Sequence, residues 1–248
     1  MHTFVEALKW LTDRANWSGS DGIPALAWQH VYVSLIALGI ALAVAVPVGL
    51  YIGHTRRLQF TAVSVANIGR AIPSFGILVI AYVAVLKISP ARAFGITPVL
   101  AALVLLAIPP ILTNTYVGIQ QVDPDAVEAA RGMGMTERQI LRRLEVPLAV
   151  PLLMAGLRTA AVTVVATATL WALIGGGTLG RFVVDGFAQH DYAKTVGGAV
   201  LVAVLAIVTE LALAAVERAV SPRTASTASR WFGRVRLEEG RPLGEPAA

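Results

Sequence analysis

Few side chains in this sequence are typed and spaced for chemistry. His2, His30, His54 and His190 never fall at the short spacings by which imidazoles share a metal, so they read as interfacial or loop residues. Cysteine is absent, which excludes disulfides, thiolate nucleophiles and cysteine-ligated metals. No G-x-x-x-x-G-K-[ST] phosphate loop occurs, so this chain is not expected to hydrolyse ATP. Nor do paired carboxylates or a nucleophile–base set gather in one stretch, which argues against a membrane-embedded enzyme. No catalytic residue, metal or cofactor is expected on the chain itself.

The charges that do stand out lie inside apolar runs. Arg158 and Glu210 should sit at similar depth and are read as a structural ion pair, with substrate contact as the sharper alternative. Arg70, beside Asn67, lines a mouth or snorkels to headgroups; snorkelling is the reading preferred. Pro47, Pro73, Pro109 and Pro110 would kink their helices and free backbone carbonyls. Gly175, Gly176 and Gly177, followed by Gly180, form either a flexible turn or part of a gate. Arg70, Pro73 and these glycines are the candidates for a gate or pathway.

The elements that must position these residues are apolar helices. The chain has 248 residues, 56% apolar and 14% charged, with a net charge of +5 and a mean hydropathy of +0.70. Soluble domains carry about 25% charged residues, so lipid is the expected solvent. Five stretches are long and apolar enough to read as spans, near 31–53, 64–86, 97–118, 151–175 and 194–216. The expected fold is all-α: a polytopic bundle of about five transmembrane helices. Residues 1–30 form an N-terminal interfacial segment, with Trp10, Trp17 and Trp28 at headgroup depth, and no cleavable signal peptide is expected. Residues 31–217 form the membrane domain, and 218–248 a basic, disordered tail beside anionic lipid. Arg56, Arg57, Arg131, Arg138, Arg142, Arg143 and the arginines of the tail outnumber Lys9, Arg14, Lys87, Arg92, Arg181 and Lys194 across the membrane. The N-terminus is therefore placed outside and the C-terminus inside.

One loop, 123–147, is too polar for the bilayer and falls on the inner side. Asp123 caps a helix whose first residue is Pro124, where the missing N–H costs nothing. Gly134 suits the left-handed position that closes that helix. Thr136 with Gln139 makes a capping box for a second helix, which Pro147 is expected to stop near Glu145. Ala129 and Ala130 give the first helix a small, flat face. Ile140, Leu141 and Leu144 give the second an apolar one, leaving Arg138, Arg142 and Arg143 for water, lipid phosphate or a partner. On spacing alone the loop is equally a docking surface and a connector.

Glu128-Ala129-Ala130, then Gly134, then Leu144-x-Val146-Pro147 resembles the signature loop of binding-protein-dependent ABC importer permeases. That pattern is EAA, three residues, Gly, nine residues and Ile-x-Leu-Pro. The spacing is complete, and Leu for Ile and Val for Leu keep the apolar character. From about residue 31 to 216, stretches such as RAIPSFGILVIAY, LTNTYVGIQQ and TATLWALIGGGTLG are similar to the osmoprotectant subfamily, which moves glycine betaine, choline and carnitine. The methionine permeases are the nearest alternative. A secondary transporter would require inverted repeats, and none is visible.

The resemblance implies that the loop docks in a groove of an ATPase subunit, through Glu128, Ala129, Ala130 and Gly134. Asp125, Gly132, Leu144 and Pro147 complete the candidate set. It further implies two ATPase copies carrying ATP and Mg, a second permease (self or sister), an extracytoplasmic substrate-binding protein and surrounding lipid, with no nucleic acid. Trp171, Tyr82, Tyr116 and Phe75 read as isolated, lipid-facing or packing residues. The aromatic cage that holds a quaternary ammonium is then expected on the binding protein.

Overall fold

A computed structural model describes residues 2–220, with the side chains of His2 and of residues 62, 63, 65, 67, 68 and 70 outside the description. The expected tail lies outside the described residues from 221 onward, and residues 218–220 are still helical. Among the described residues every regular element is helical.

Helix α1 (His2–Thr12) is followed by a 3₁₀ turn, Arg14–Trp17. Asn16 Nδ2 and Trp17 Nε1 donate to the carbonyls of Trp10 and Leu11 at 2.8 and 2.7 Å, satisfying acceptors that the helix end leaves open. Helix α1 lies on α11 (Tyr192–Val220), where Trp10 covers Gly197 and meets Phe182 edge-on with centroids 5.0 Å apart. Trp10 is thus a packing residue, whereas Trp17 and Trp28 remain exposed.

Helix α2 spans Ile23–Thr55 and begins well ahead of the expected residue 31, because Pro24 near its first position favours initiation there. At about 1.5 Å per residue its 33 residues measure about 50 Å, more than a bilayer's hydrocarbon needs. Its N-terminal turns bury Ile23 and Leu26 against Leu179 and Phe182. His30, expected at an interface, is instead fully buried with Nε2 2.8 Å from the Val165 carbonyl.

The expected span near 64–86 is two helices, α3 (Gln59–Ala71) and α4 (Ser74–Ile88). Ile72 and Pro73 are extended between them, at ψ 126° and 136°. A proline disfavours helical geometry at the preceding residue, and here Ile72 takes the extended alternative, so Pro73 breaks the helix instead of merely bending it. Fifteen residues give α4 only about 22 Å. A one-turn helix, α5 (Pro90–Ala93), leads on to α6 (Thr97–Gln120). Phe94, just after α5, meets Tyr82 edge-on at 5.9 Å, so Tyr82 is not isolated.

Among the described residues, four helical runs are long and apolar enough to cross a membrane: Ile23–Thr55, Thr97–Gln120, Glu137–Ile174 and Tyr192–Val220. With the broken α3–α4 pair they account for the five apolar stretches. Helix α6 packs between α2 and α9 (Val146–Ala168). Lipid tails offer helices no hydrophobic drive to associate, so close van der Waals approach must hold such a bundle. Small residues supply it: Ala37, Ala41, Ala45, Ala107, Ala160, Ala161 and Ala168 are almost wholly buried in the core. A methyl at Gly53 would stand 2.7 Å from Ile119 Cβ, and one at Gly156 2.6 Å from Asn114 Cβ. Both crossings therefore require glycine.

The interhelical loop and its brace

The polar loop is built from short-range bonds. Asp123 Oδ1 accepts from the Asp125 amide at 2.9 Å and opens α7 (Pro124–Gly132). At the other end Gly134 takes φ +85°, a conformation that costs an L side chain dearly. Its amide donates to the Arg131 carbonyl and that of Met135 to Ala130, at 2.9 and 3.1 Å, which is a Schellman closure. Thr136 and Gln139 then form a reciprocal capping box, with Thr136 N–H donating to Gln139 Oε1 at 2.8 Å, and start α8 (Glu137–Ile140).

Pro147 does not stop this second helix, contrary to expectation. A π-helical turn, Leu141–Glu145, joins α8 directly to α9, in whose first turn Pro147 sits. An α-helix would aim an amide of residue 147 at the Arg143 carbonyl and press the ring against it. The wider turn relieves that clash, and the Val146 amide reaches back to Leu141. Leu144 and Pro147 are half-buried along this run.

Ala129 and Ala130 do not share a face. Successive helical residues diverge by about 100°, so Ala130 turns inward and is buried while Ala129 is exposed. Asp125, Glu128, Gly132 and Gly134 are exposed, as are Arg138, Arg142 and Arg143, and Ile140 is wholly buried. The loop thus presents a charged outer surface over a small apolar anchor.

Sequence reasoning overlooked the residues that fasten this loop. His54, at the end of α2, places Nδ1 2.6 Å from Glu145 Oε2 and Nε2 3.3 Å from Glu137 Oε2. Glu145 is 6% exposed, so the contact is largely shielded from water. Glu137 is also gripped by Arg131, Nε to Oε1 at 2.6 Å and Nη2 to Oε2 at 3.0 Å. The hydrogen bond from Arg131 holds the Glu137 carboxyl below the ordinary carboxylate range, and that bond raises the guanidinium in turn. Both groups are well exposed, so the fork orients the turn more than it stabilises it. Glu128, Arg131, His54, Arg56 and Glu145 line one cavity of about 760 Å³ between α2, α6 and α7. Only a list of carboxylates near each histidine in space, not in sequence, would have revealed the brace.

Among the candidates inside the bundle, Arg158 Nε donates to Glu210 at 2.9 Å, and Nη2 binds the same oxygen. Its Nη1 also donates to Glu217 at 2.8 Å, a partner the sequence reading did not name. Pro73 lies at the break between α3 and α4. The backbone of Arg70 is in α3, and its side chain lies outside the described part. Gly175 takes φ +88° after a 3₁₀ turn, Thr169–Ile174. Gly176 lies against the Trp171 ring and Gly177 against the Gln29 amide, so this stretch is packed instead of loose. Gly180 begins α10 (Gly180–Ala188).

Comparison with known proteins places this architecture. The carnitine transport permease protein OpuCB of Listeria monocytogenes is 37% identical over 196 residues, 79% of this chain and 87% of that protein. The glycine betaine/carnitine/choline transport system permease protein OpuCB of Bacillus subtilis (strain 168) is 36% identical over 195 residues, again 79% and 87%. Among solved structures, the MetNI methionine ABC transporter in an inward-facing conformation matches with a TM-score of 0.70 and 24% identity, over 79% of this chain and 94% of that one. That likeness shows the fold. The sequence profile of binding-protein-dependent transport system inner membrane components matches residues 45–224. This chain belongs to the family of inner membrane components of binding-protein-dependent transport systems.

Proposed function

We propose that this chain is the permease subunit of an ATP-driven importer that carries quaternary-amine osmoprotectants, glycine betaine, choline or carnitine, into the cytoplasm by alternating access. The observation that carries the substrate class is the identity of more than a third to permeases named for these compounds along most of both chains. The loop geometry supports the coupling role. It is capped internally at each turn, fastened to α2 by His54 and continuous with α9, so a push on it moves spans as a body.

In this reading Glu128, Ala129 and Gly134 face a cytoplasmic ATPase subunit, present in two copies, on which Mg-ATP is bound and hydrolysed. The N-terminus is outside and the C-terminus inside. A second permease, self or sister, completes the passage, and an extracytoplasmic binding protein delivers the substrate. The scarcity of aromatic residues, 7% of the chain, supports an aromatic cage on that separate protein.

The test is uptake of radiolabelled glycine betaine, choline and methionine in cells carrying or lacking the gene. Loss of betaine or choline uptake on deletion, and in a Glu128→Lys strain with normal permease amounts, is expected. Loss of methionine uptake alone would reject the substrate class while leaving the importer role intact.

A further inference from the structure

Backbone that is not helical is tolerated at membrane depth only where it is buried in protein or lines a water-filled cavity. This chain has such a place. The break at Ile72–Pro73 opens onto a cavity of about 490 Å³ whose opposite wall is Pro109 and Pro110, midway along α6. Neither proline can donate to the carbonyl four residues before it, so those of Leu105 and Leu106 lose their helical partner, and Leu106 lines the cavity. A second cavity of about 650 Å³ lies between α9 and α11 and is lined by Arg158 and Glu210. Thr159 and Thr163 line both, so the two form one seam along α9.

The seam is rich in acceptors and poor in donors. Thr159 and Thr163 spend their hydroxyl protons on the carbonyls of Ala155 and Thr159, at 3.0 and 2.8 Å. Asn114 Nδ2 donates to the Pro110 carbonyl at 2.8 Å. Apart from the Ser74 hydroxyl and the second Asn114 N–H, what these polar groups leave toward the otherwise mostly apolar cavities is oxygen lone pairs. At one end Arg158 meets two carboxylates, Glu210 and Glu217, one negative charge in excess when all three are ionised. Oxygens without protons and a net negative mouth suit a quaternary ammonium group, which cannot itself donate a hydrogen bond.

We infer that this seam, from Pro73 and Pro110 past Thr163 and Thr159 to Arg158, is the wall of the transport passage and receives the quaternary ammonium group of its substrate. The choice of a quaternary ammonium rests on the osmoprotectant reading; the open seam does not. Its volume falls within the range of small-molecule sites, but its lining offers no aromatic cage, which fits weak, transient contact.

The chain has no cysteine, so single substitutions can be probed directly. Thr159→Cys, Thr163→Cys and Asn114→Cys would be made in the assembled importer in membrane vesicles, with Ser74→Cys replacing any that fails to insert. Val44→Cys and Val208→Cys, on exposed apolar positions of α2 and α11, serve as controls. Each is treated with a methanethiosulfonate bearing a trimethylammonium or a sulfonate group, and labelling is read on the separated chain. The expected result is labelling of the seam and not of the controls, about tenfold or more faster with the cationic reagent, and slowed by excess glycine betaine, choline or carnitine. No labelling at any seam position would overturn the passage, and equal rates with both reagents would overturn its preference for cations. Cation-selective labelling that none of glycine betaine, choline and carnitine slows would reject the substrate class proposed above and leave the seam standing.

Discussion

Replacing His54 with alanine should loosen the loop from the bundle by a measurable amount. The substitution leaves Glu145, 6% exposed, without the hydrogen-bond partner it has among the described residues, and frees Glu137 to Arg131 alone. A buried carboxylate that loses its hydrogen-bond partner costs about 2–4 kcal/mol, toward the lower end here because His54 retains some exposure. That corresponds to roughly a 30- to 1000-fold shift toward the undocked loop. Amide hydrogen exchange across residues 137–147, in protein held in lipid nanodiscs, should quicken by that factor where the segment opens as a unit. The double variant His54→Leu with Glu145→Leu removes both polar groups together and should recover most of the protection, giving a large coupling energy in a double-mutant cycle. Exchange unchanged in His54→Ala, or additive effects in the cycle, would refute the brace. A docked loop in every variant, with uptake nonetheless lost, would refute its link to transport.

Other consequences follow from single positions. Gly134→Ala forces a side chain into φ +85° and should cost about 1–2 kcal/mol of loop stability, read by the same exchange measurement. Gly53→Ala places a methyl against Ile119 and should lower the thermal midpoint in detergent through overpacking of about 1–3 kcal/mol, whereas Gly132→Ala, with open space around it, should be neutral. Arg158→Leu strands Glu210 and Glu217 and should reduce the amount of inserted protein, with partial recovery on adding Glu210→Gln. Because the folded Glu137 carboxyl titrates below its unfolded value, its pairing with Arg131 contributes above the ordinary carboxylate range and is lost as pH falls through the lowered one. Exchange at the α7–α8 turn should rise over that acid window and also with added salt.

The parts of the site legible in the sequence are those whose partners lie within a few residues. Asp123 and Pro124, Gly134, and Thr136 with Gln139 each announce a cap because a helix end satisfies its own orphan groups locally. Arg158 and Glu210 could be paired from afar because a lone charge in an apolar span must find an opposite one. Glu217 escaped because it lies close to a helix end, where water would serve as well. Proline was ambiguous: Pro47, Pro109 and Pro110 stay inside continuous helices, whereas Pro73 breaks one. The type of residue cannot decide between those outcomes, since neighbouring helices determine whether freed carbonyls find partners. His54 and Glu145 are 91 residues apart, and nothing local to either one signals the contact.

This division has a mechanical consequence. In the proposed coupling role the loop needs internal stiffness and firm attachment, and the chain obtains them by different means. Stiffness comes from the caps, which are local and therefore written in consecutive residues. Attachment comes from the His54 brace on one side and from the π-turn on the other, both of which depend on the folded bundle. Because Pro147 is absorbed and does not end the helix, Glu137–Ile174 is one helical run of 38 residues, about 57 Å. In the proposed coupling role, displacement of α8 is passed along this run toward Arg158, Thr159 and Thr163, with the π-turn and Pro151 as the places where it can bend. Had Pro147 made a break, motion at the loop would have dissipated there, and the seam along α9 would be mechanically separate from it.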